Sequence, residues 1–442
     1  MCGIAGIFHL STAKPVDPAR VVLMTDAMVH RGPDGSGVWT APGVGLGHRR
    51  LAIIDLSTGD QPMISADGAI TVVFNGEIYN FREVRKELEA AGAVFRTASD
   101  TEVILHLLSR SKKRRVVERL VDAIRQVEGS YALACLTNDM MIGARDPVGI
   151  RPLVIGRLGV SYVLASETCA LDMVGAEFLR EVENGEVVVI TDDGIESHRP
   201  FPKRPARPCI FEYIYFARPD SVVGGRTVYD IRKQMGIQLA REAPANADVI
   251  VPIPDSGVPA AIGFSQESGV RFELGIIRNH YVGRTFIEPE QRIRQLGVKL
   301  KHSANASVIR GNSIVLVDDS VVRGTTSKKI VQLMYEAGAR EVHMRISSPP
   351  ITHPDFYGID TPRREDLLAA NMDLEGMRQF MGADSLAFLS VEGIYRAVGV
   401  EARDPRSPQF TDHCFTGDYP TGLTDQDGHA HDEQLSFLAE AR

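Results

Sequence analysis

The stretch SIVLVDDSVVRGTT, residues 313–326, leaves little choice of fold around it. Four aliphatics in a row lead into two adjacent acids, a short loop and a helical pattern over 326–337 that Gly338 closes. An unbroken apolar run offers no polar face to water, so the strand it forms must be covered on both sides. Residues 249–253 (VIVPI) make a second such run ahead of a helical stretch at 258–265; 274–277 and 342–346 read as further strands. Strands of this kind joined by helices predict a parallel α/β sheet. Its ligands gather at the carboxyl ends of the strands. Both Asp318-Asp319 and the loop Pro252-Ile253-Pro254-Asp255-Ser256-Gly257 fall there.

Upstream of residue 200 the pattern differs. Residues 71–74 read as a strand ending in the turn signal Asn75-Gly76, and 81–91 (FREVRKELEAA) as a helix ending before Gly92. Residues 130–136, 160–165 and 186–190 are further strands, which together predict a sheet-rich α+β unit. Between the halves, residues 200–208 (PFPKRPARP) hold four prolines and three basic residues, a stiff exposed connector. A chain of 442 residues exceeds one ordinary core, at about 100–200 residues per domain. The expected division is therefore 1–205, 206–423 and a tail, 424–442, with five acids and one base.

Net charge is −8, which gives no electrostatic case for a nucleic acid polymer or an anionic membrane. No apolar run reaches the roughly 20 residues of a membrane helix, and the start carries no signal-peptide pattern. Five cysteines, widely spaced and without a CxxC pair, read as reduced cytoplasmic thiols. Cys2 stands apart. Followed by Gly3, it is a candidate N-terminal nucleophile: removal of Met1 would expose it, and a free α-amino group with pKa of about 7.7–8.0 would take the thiol proton. The competing reading is an early cysteine without a role.

Four strings after Cys2 bear on that choice: HRGPDG (30–35), GHRRLAIID (47–55), FNGEIYN (74–80) and SDTEVI (99–104). With them, the first half resembles the glutaminase domain of class II glutamine amidotransferases, which are N-terminal-nucleophile hydrolases. The resemblance implies an αββα sandwich in which Cys2 attacks the glutamine amide. It makes Asn75 and Gly76 the oxyanion hole, and Arg50 and Asp100 the clamp on the α-carboxylate and α-amino group. These types suit the chemistry, since a tetrahedral oxyanion needs fixed donors and a zwitterion needs both charges. Arg49 sits beside Arg50 and leaves that assignment open; His30 and Arg31 read equally as turn residues or as substrate-side groups.

The first hundred residues are closest in wording to the asparagine synthetase glutaminase, yet no SGGxDS loop of such a synthetase follows. From about Ser99 the strings GSYAL (129–133), ARDPVGIRPL (144–153), ASET (165–168) and FEYIYFARPDS (211–221) resemble the glutamine phosphoribosylpyrophosphate (PRPP) amidotransferases of purine synthesis. The chain thus reads as a mosaic, with an uncoupled glutaminase or PRPP-binding protein as the alternative to a working amidotransferase.

Residues 314–326 match the PRPP loop of type I phosphoribosyltransferases. By that resemblance Asp318 and Asp319 bind ribose hydroxyls, and Ser320, Arg323, Gly324, Thr325 and Thr326 surround the 5-phosphate. Backbone N–H groups of such a loop bind phosphate without a lysine. Asp255, Ser256 and Gly257 match the pyrophosphate loop, and Ser256, Asp318 and Asp319 the holders of Mg²⁺. The basic stretch from Arg278, with Arg284, Lys299 and Lys301, implies a lid over pyrophosphate. Feedback by purine nucleotides and a homotetramer are further implications. Some relatives carry a [4Fe–4S] cluster on four cysteines; here those positions read Cys209, Asp355, Thr411 and Cys414, and two thiols are too few for that ligation, so no cluster is expected. Cys135 and Cys169 read as packed small residues.

Overall fold

The computed structural model describes residues 1–9, 15–278, 302–358 and 363–422. In the first half, strands β1 (Gly3–His9), β2 (Gly35–Ala41), β3 (Val44–Arg50), β4 (Met63–Ile64), β5 (Thr71–Ile78), β6 (Gly129–Leu136), β7 (Met141–Arg145), β8 (Val154–Leu158), β9 (Ser161–Ala165), β10 (Glu177–Glu181), β11 (Val187–Thr191) and β12 (Gly194–His198) build two six-stranded antiparallel sheets. Their orders are β10-β8-β9-β1-β3-β2 and β12-β11-β7-β6-β5-β4. The helices are α1 (Pro18–Asp26), α2 (Phe81–Ala90), α3 (Thr101–Arg110), α4 (Val116–Ile124) and α5 (Thr168–Asp172).

Period-two alternation decides which side chains meet. In β1, Ile4 and Phe8 face the second sheet and join Val73, Ala132, Ala134 and Val188 in a core between the sheets. Ala5 and Ile7 face the other way, against Val21 and Met24 of α1 and Leu171 of α5. In the second sheet Val72 and Phe74 of β5 pack beneath Leu88 of α2, Ile104 of α3 and Leu120 of α4. The result is a four-layered αββα sandwich, as the resemblance implies.

Asn75-Gly76 is not a turn. Strand β5 runs on to Ile78, and both residues pair with β6, Asn75 opposite Ala132 and Gly76 opposite Tyr131. The glycine serves close approach instead: a Cβ there would lie 2.0 Å from the Ser130 carbonyl oxygen. An apolar alternation that continues on both sides of the dipeptide outweighs its turn preference.

Residues 199–208 form neither helix nor strand. Beyond them lies a four-stranded parallel sheet in the order Val249–Pro252, Ser313–Asp318, Glu341–Ile346, Ser385–Phe388. One face buries Val249, Val251, Ile314 and Leu316 against Ile330 and Met334 of helix Thr325–Glu336. The other buries Ile250, Val315 and Val317 beneath Met235 and Leu239 of helix Val228–Glu242 and Phe264 of helix Val258–Ser268. Both faces are covered, as the apolar runs require. The run at 274–277 departs from expectation: its strand is Ile276–Arg278, and it pairs antiparallel with His302–Ala304 in a separate ribbon.

The two helices on that face touch backbone to backbone. A Cβ on Gly236 would lie 1.8 Å from the Ala260 carbonyl oxygen, and one on Gly263 would lie 1.9 Å from that of Lys233. Alanine helps a helix interior by about 1 kcal/mol relative to glycine, yet a rigid carbonyl cannot yield as a side chain can. We expect Gly236→Ala to cost about 1–3 kcal/mol through overpacking, read as a lower denaturant midpoint; an unchanged or higher midpoint would contradict the contact.

Candidate functional site

Strand β1 opens at Gly3, so Cys2 sits at the mouth of the gap between the sheets. Asn75 lies on the same face of β5 as Val73, which points into that gap. The Cys2 N–H donates to Asn75 Oδ1 at 3.0 Å. This fixes the amide, and Asn75 Nδ2 is buried without a hydrogen-bond partner. A buried orphan donor is costly unless something arrives to accept from it. The Cys2 thiol lies 3.8 Å from the Leu51 carbonyl oxygen, and burial pushes its pKa up.

Cys2, Arg50, Asn75, Gly76 and Asp100 all line one cleft of about 480 Å³ including its open mouth. Alternation along β3 separates the two arginines. Arg50 is buried and lines the cleft, donating to the Ile54 carbonyl and Asp60 Oδ1 at 3.2 Å each and to the Asp55 carbonyl. Arg49 turns away, to Asp26 and the Thr25 carbonyl. Asp100 accepts from the Ile78 N–H at 3.0 Å, and burial raises its pKa to about 6. Glu77, in the same cleft, is held well above the carboxylate range by burial and by Asp100. Sequence reasoning passed over Glu77, although it lies inside FNGEIYN. Met1 also lines the cleft; its amino group is buried, which lowers its pKa to about 5.

Arg31 sits in the turn after α1, where its N–H donates to the Met28 carbonyl at 3.0 Å, but its side chain reaches well beyond that turn. Its guanidinium is fully buried and donates to the Cys2 carbonyl (3.1 Å), to Glu167 (2.6 Å) and twice to Glu212 (2.8 and 2.9 Å). Glu167 also takes His30 at 2.8 Å, the Ser221 hydroxyl at 2.7 Å and the Arg218 N–H at 2.9 Å. Glu212 lies on the π-helical turn Glu212–Phe216, beyond the proline-rich connector. The arginine holds the Glu167 carboxyl far below its ordinary range, against burial. The signal for this hub was present but scattered over HRGPDG, ASET and FEYIYF.

In the second half, two loops leave the carboxyl ends of neighbouring parallel strands. Asp318 and Asp319 are both buried; the Asp319 N–H donates to Asp318 Oδ1 at 3.0 Å and the Ser320 hydroxyl to Asp319 Oδ2 at 2.5 Å. Burial and the charge of Asp319 hold Asp318 well above its ordinary pKa. Gly324 takes the left-handed φ of 71° and caps helix Thr325–Glu336, so the N–H groups of Thr325 and Thr326 begin that helix. A Cβ at Gly324 would lie 2.6 Å from the Leu368 side chain. Arg323 donates to Asp366 at 3.2 Å, outside the loop. Asp255 pairs with Arg278, and Gly257 caps helix Val258–Ser268 while a Cβ there would lie 2.4 Å from the Val317 carbonyl oxygen. Arg284, Lys299 and Lys301 lie outside the described residues.

Cys135 and Cys169 are buried, and burial pushes both thiols up to about 12, consistent with packing roles. Cys209 bridges in β fashion to Thr411, and Cys414 lies 3.6 Å from Asp355. The four positions singled out by resemblance thus lie on contacting segments.

The fold and its two sites define a chain with a glutaminase-type half and a phosphoribosyltransferase half. The glutamine amidotransferase domain family matches residues 1–195, and the phosphoribosyl transferase domain family residues 225–347. An amidophosphoribosyltransferase of Rhizobium etli is 50% identical, with 99% of this chain and 95% of that protein covered. One from Bacillus subtilis is 42% identical over 96% of this chain and 94% of its own. A solved B. subtilis glutamine PRPP amidotransferase, complexed with ADP and GMP, superposes with a TM-score of 0.88 at 39% identity, covering 98% of this chain and 99% of that one. The chain belongs to the amidophosphoribosyltransferase family. The likeness to the R. etli protein covers 99% of this chain and so takes in the first hundred residues, and the mosaic reading is not favoured.

Removing the central cation tests the hub. Arg31→Met leaves Glu167 and Glu212 buried without it, a loss of about 3–5 kcal/mol. Glu167, whose carboxyl the arginine holds low, sets the sign with pH: its contribution in the wild type is complete above its unfolded pKa and fades as it protonates below it. The stability difference between variant and wild type should therefore shrink from about pH 7 toward about pH 3, measured by denaturant titration.

Proposed function

We propose that this chain hydrolyses glutamine at Cys2 and passes the ammonia to PRPP, yielding glutamate, 5-phosphoribosylamine and pyrophosphate. Water enters the first half-reaction, glutamine to glutamate and ammonia; ammonia then replaces pyrophosphate at the anomeric carbon. The observation that carries the reading is the orphan amide donor of Asn75 beside the Cys2 thiol, in a cleft that also holds Arg50 and Asp100.

The thiol attacks the side-chain amide carbon. Asn75 Nδ2 and the Gly76 N–H receive the oxyanion, each such donor being worth about 3–4 kcal/mol in the transition state. Arg50 exchanges loop carbonyls for the substrate carboxylate, and Asp100 takes the ammonium. Cleavage of Met1 supplies the base, because the freed α-amino group of Cys2 accepts the thiol proton. In the second half, Asp318 and Asp319 hold the ribose hydroxyls. Ser320, Arg323, Gly324, Thr325 and Thr326 hold the 5-phosphate, and Asp255, Ser256 and Gly257 the pyrophosphate. Arg284, Lys299 and Lys301 close over it.

Two buried neighbouring carboxylates, one with a raised pKa, form a donor set that a hard cation would relieve. The residues present fit Mg²⁺, which Asp318, Asp319 and Ser256 would hold. When bound, it spreads the charge of departing pyrophosphate. Purine nucleotides as inhibitors, a homotetramer and a cytoplasmic location belong to the same proposal. Among the described residues no helix is long and apolar enough to cross a membrane.

Phosphoribosylamine formation with glutamine and with ammonium tests the coupling: wild type should use both, Cys2→Ala ammonium alone, and Asp319→Ala neither. Wild-type activity with ammonium but not glutamine would sink the coupled reading. The pH dependence of glutamine binding gives a second check. With the Asp100 pKa raised to about 6, the carboxylate is ionised above that value and neutral below it. The KM for glutamine should rise up to tenfold per pH unit below about pH 6, and Asp100→Asn should raise it at all pH values and flatten the profile.

A further inference from the structure

Behind the glutaminase cleft lies a second cluster of reactive groups that neither half-reaction uses. Asp355, His413 and Cys414 are 1%, 1% and 4% exposed. One atom of each converges on a common point: His413 Nε2 is 2.9 Å from Asp355 Oδ2, Cys414 Sγ is 3.6 Å from the same oxygen, and Cys414 Sγ is 3.3 Å from His413 Nε2. A tetrahedral ion with bonds of about 2.0–2.3 Å to nitrogen, oxygen and sulfur sets its ligand atoms about 3.3–3.6 Å apart. The triangle is therefore close to one face of such a tetrahedron.

Two of the three side chains are held in place by their neighbours. The other oxygen of Asp355 accepts the Tyr357 N–H at 2.8 Å, which leaves Oδ2 turned to the cluster. The His413 ring is clamped between Tyr357 and Tyr419, with ring centroids 4.7 and 4.9 Å away. A self-contained hydrogen-bonded triad is the plain competing account. It makes one ring atom, His413 Nε2, serve both the carboxylate and the thiol, whereas an ion at that point would bind all three at once; Nδ1 is buried without a partner in either account.

The geometry points to a mononuclear zinc site formed by Asp355, His413 and Cys414. One imidazole, one thiolate and one carboxylate form a donor set suited to Zn²⁺, and they differ in kind and number from the four cysteines of an iron–sulfur cluster. The ion would join the loop holding Asp355 to helix His413–Thr416. That loop continues to Tyr357, whose carbonyl accepts from Arg151, and to Gly358, which lines the glutaminase cleft. Zinc here acts as a clamp behind the first active site, not as a reactant.

The test uses the full-length protein, stripped with chelator, incubated with zinc chloride and desalted. Elemental analysis should then find close to one zinc per chain and a higher melting temperature than in the stripped protein. Cobalt in place of zinc should give the intense visible bands of a tetrahedral thiolate site, retained in Cys2→Ala and lost in Cys414→Ser and His413→Gln. Less than about 0.1 zinc per chain in reloaded wild-type protein with native circular dichroism would overturn the assignment, independently of whether any variant folds. Iron with acid-labile sulfide in the freshly purified protein, or cobalt bands lost in Cys2→Ala, would overturn it equally.

Discussion

One guanidinium ties the molecule together. Arg31 reaches the carbonyl of Cys2, a glutamate of the sandwich and a glutamate beyond the connector, and it does so fully out of water. Burying an ion pair stabilises little by itself, because desolvation cancels much of the attraction. Its effect is on specificity. With Glu167 and Glu212 both committed to one cation, any other placement of the second half against the first leaves a charge stranded. Ser221 and the Arg218 N–H add neutral donors to Glu167, so the joint is defined by direction as well as charge.

The two sites reach readiness by opposite means. The thiol site rests on an unspent donor: Asn75 is oriented by the Cys2 N–H through its oxygen, and its nitrogen has nothing to bond. The phosphate site rests on excess negative charge at Asp318-Asp319 and on glycines that let backbone come close. Each is unfavourable when empty. On the proposed reading an oxyanion would relieve the first, and hydroxyls, a cation and phosphate the second.

Much of this was readable from the residues. The apolar runs at 249–253 and 313–317 could only be covered strands, and they are; the loops after them follow from chain direction. Cys2, Arg50, Asn75 and Asp100 came from short strings and meet in one cleft. What stayed hidden is what depends on contacts distant in sequence. The choice between Arg49 and Arg50 is set by the pleat of β3 over α1, which no local pattern encodes. Asn75-Gly76 looked like a turn because its turn preference is local, while the strand pairing that overrides it comes from Gly129–Leu136. Arg31 was opaque because its partners lie 136 and 181 residues away.

Met1 carries a last consequence. Its side chain touches Arg31 and Arg151, and its Cγ comes within 3.8 Å of where a Cβ on Gly358 would stand. With Cys2 and with Gly358 of the second half, it lines the same cleft. The removal of Met1 that the proposed mechanism requires would also take this side chain away. On the proposed reading, a chain that keeps Met1 would lack its base and keep a side chain at this seam, and one cleavage would remove both obstacles.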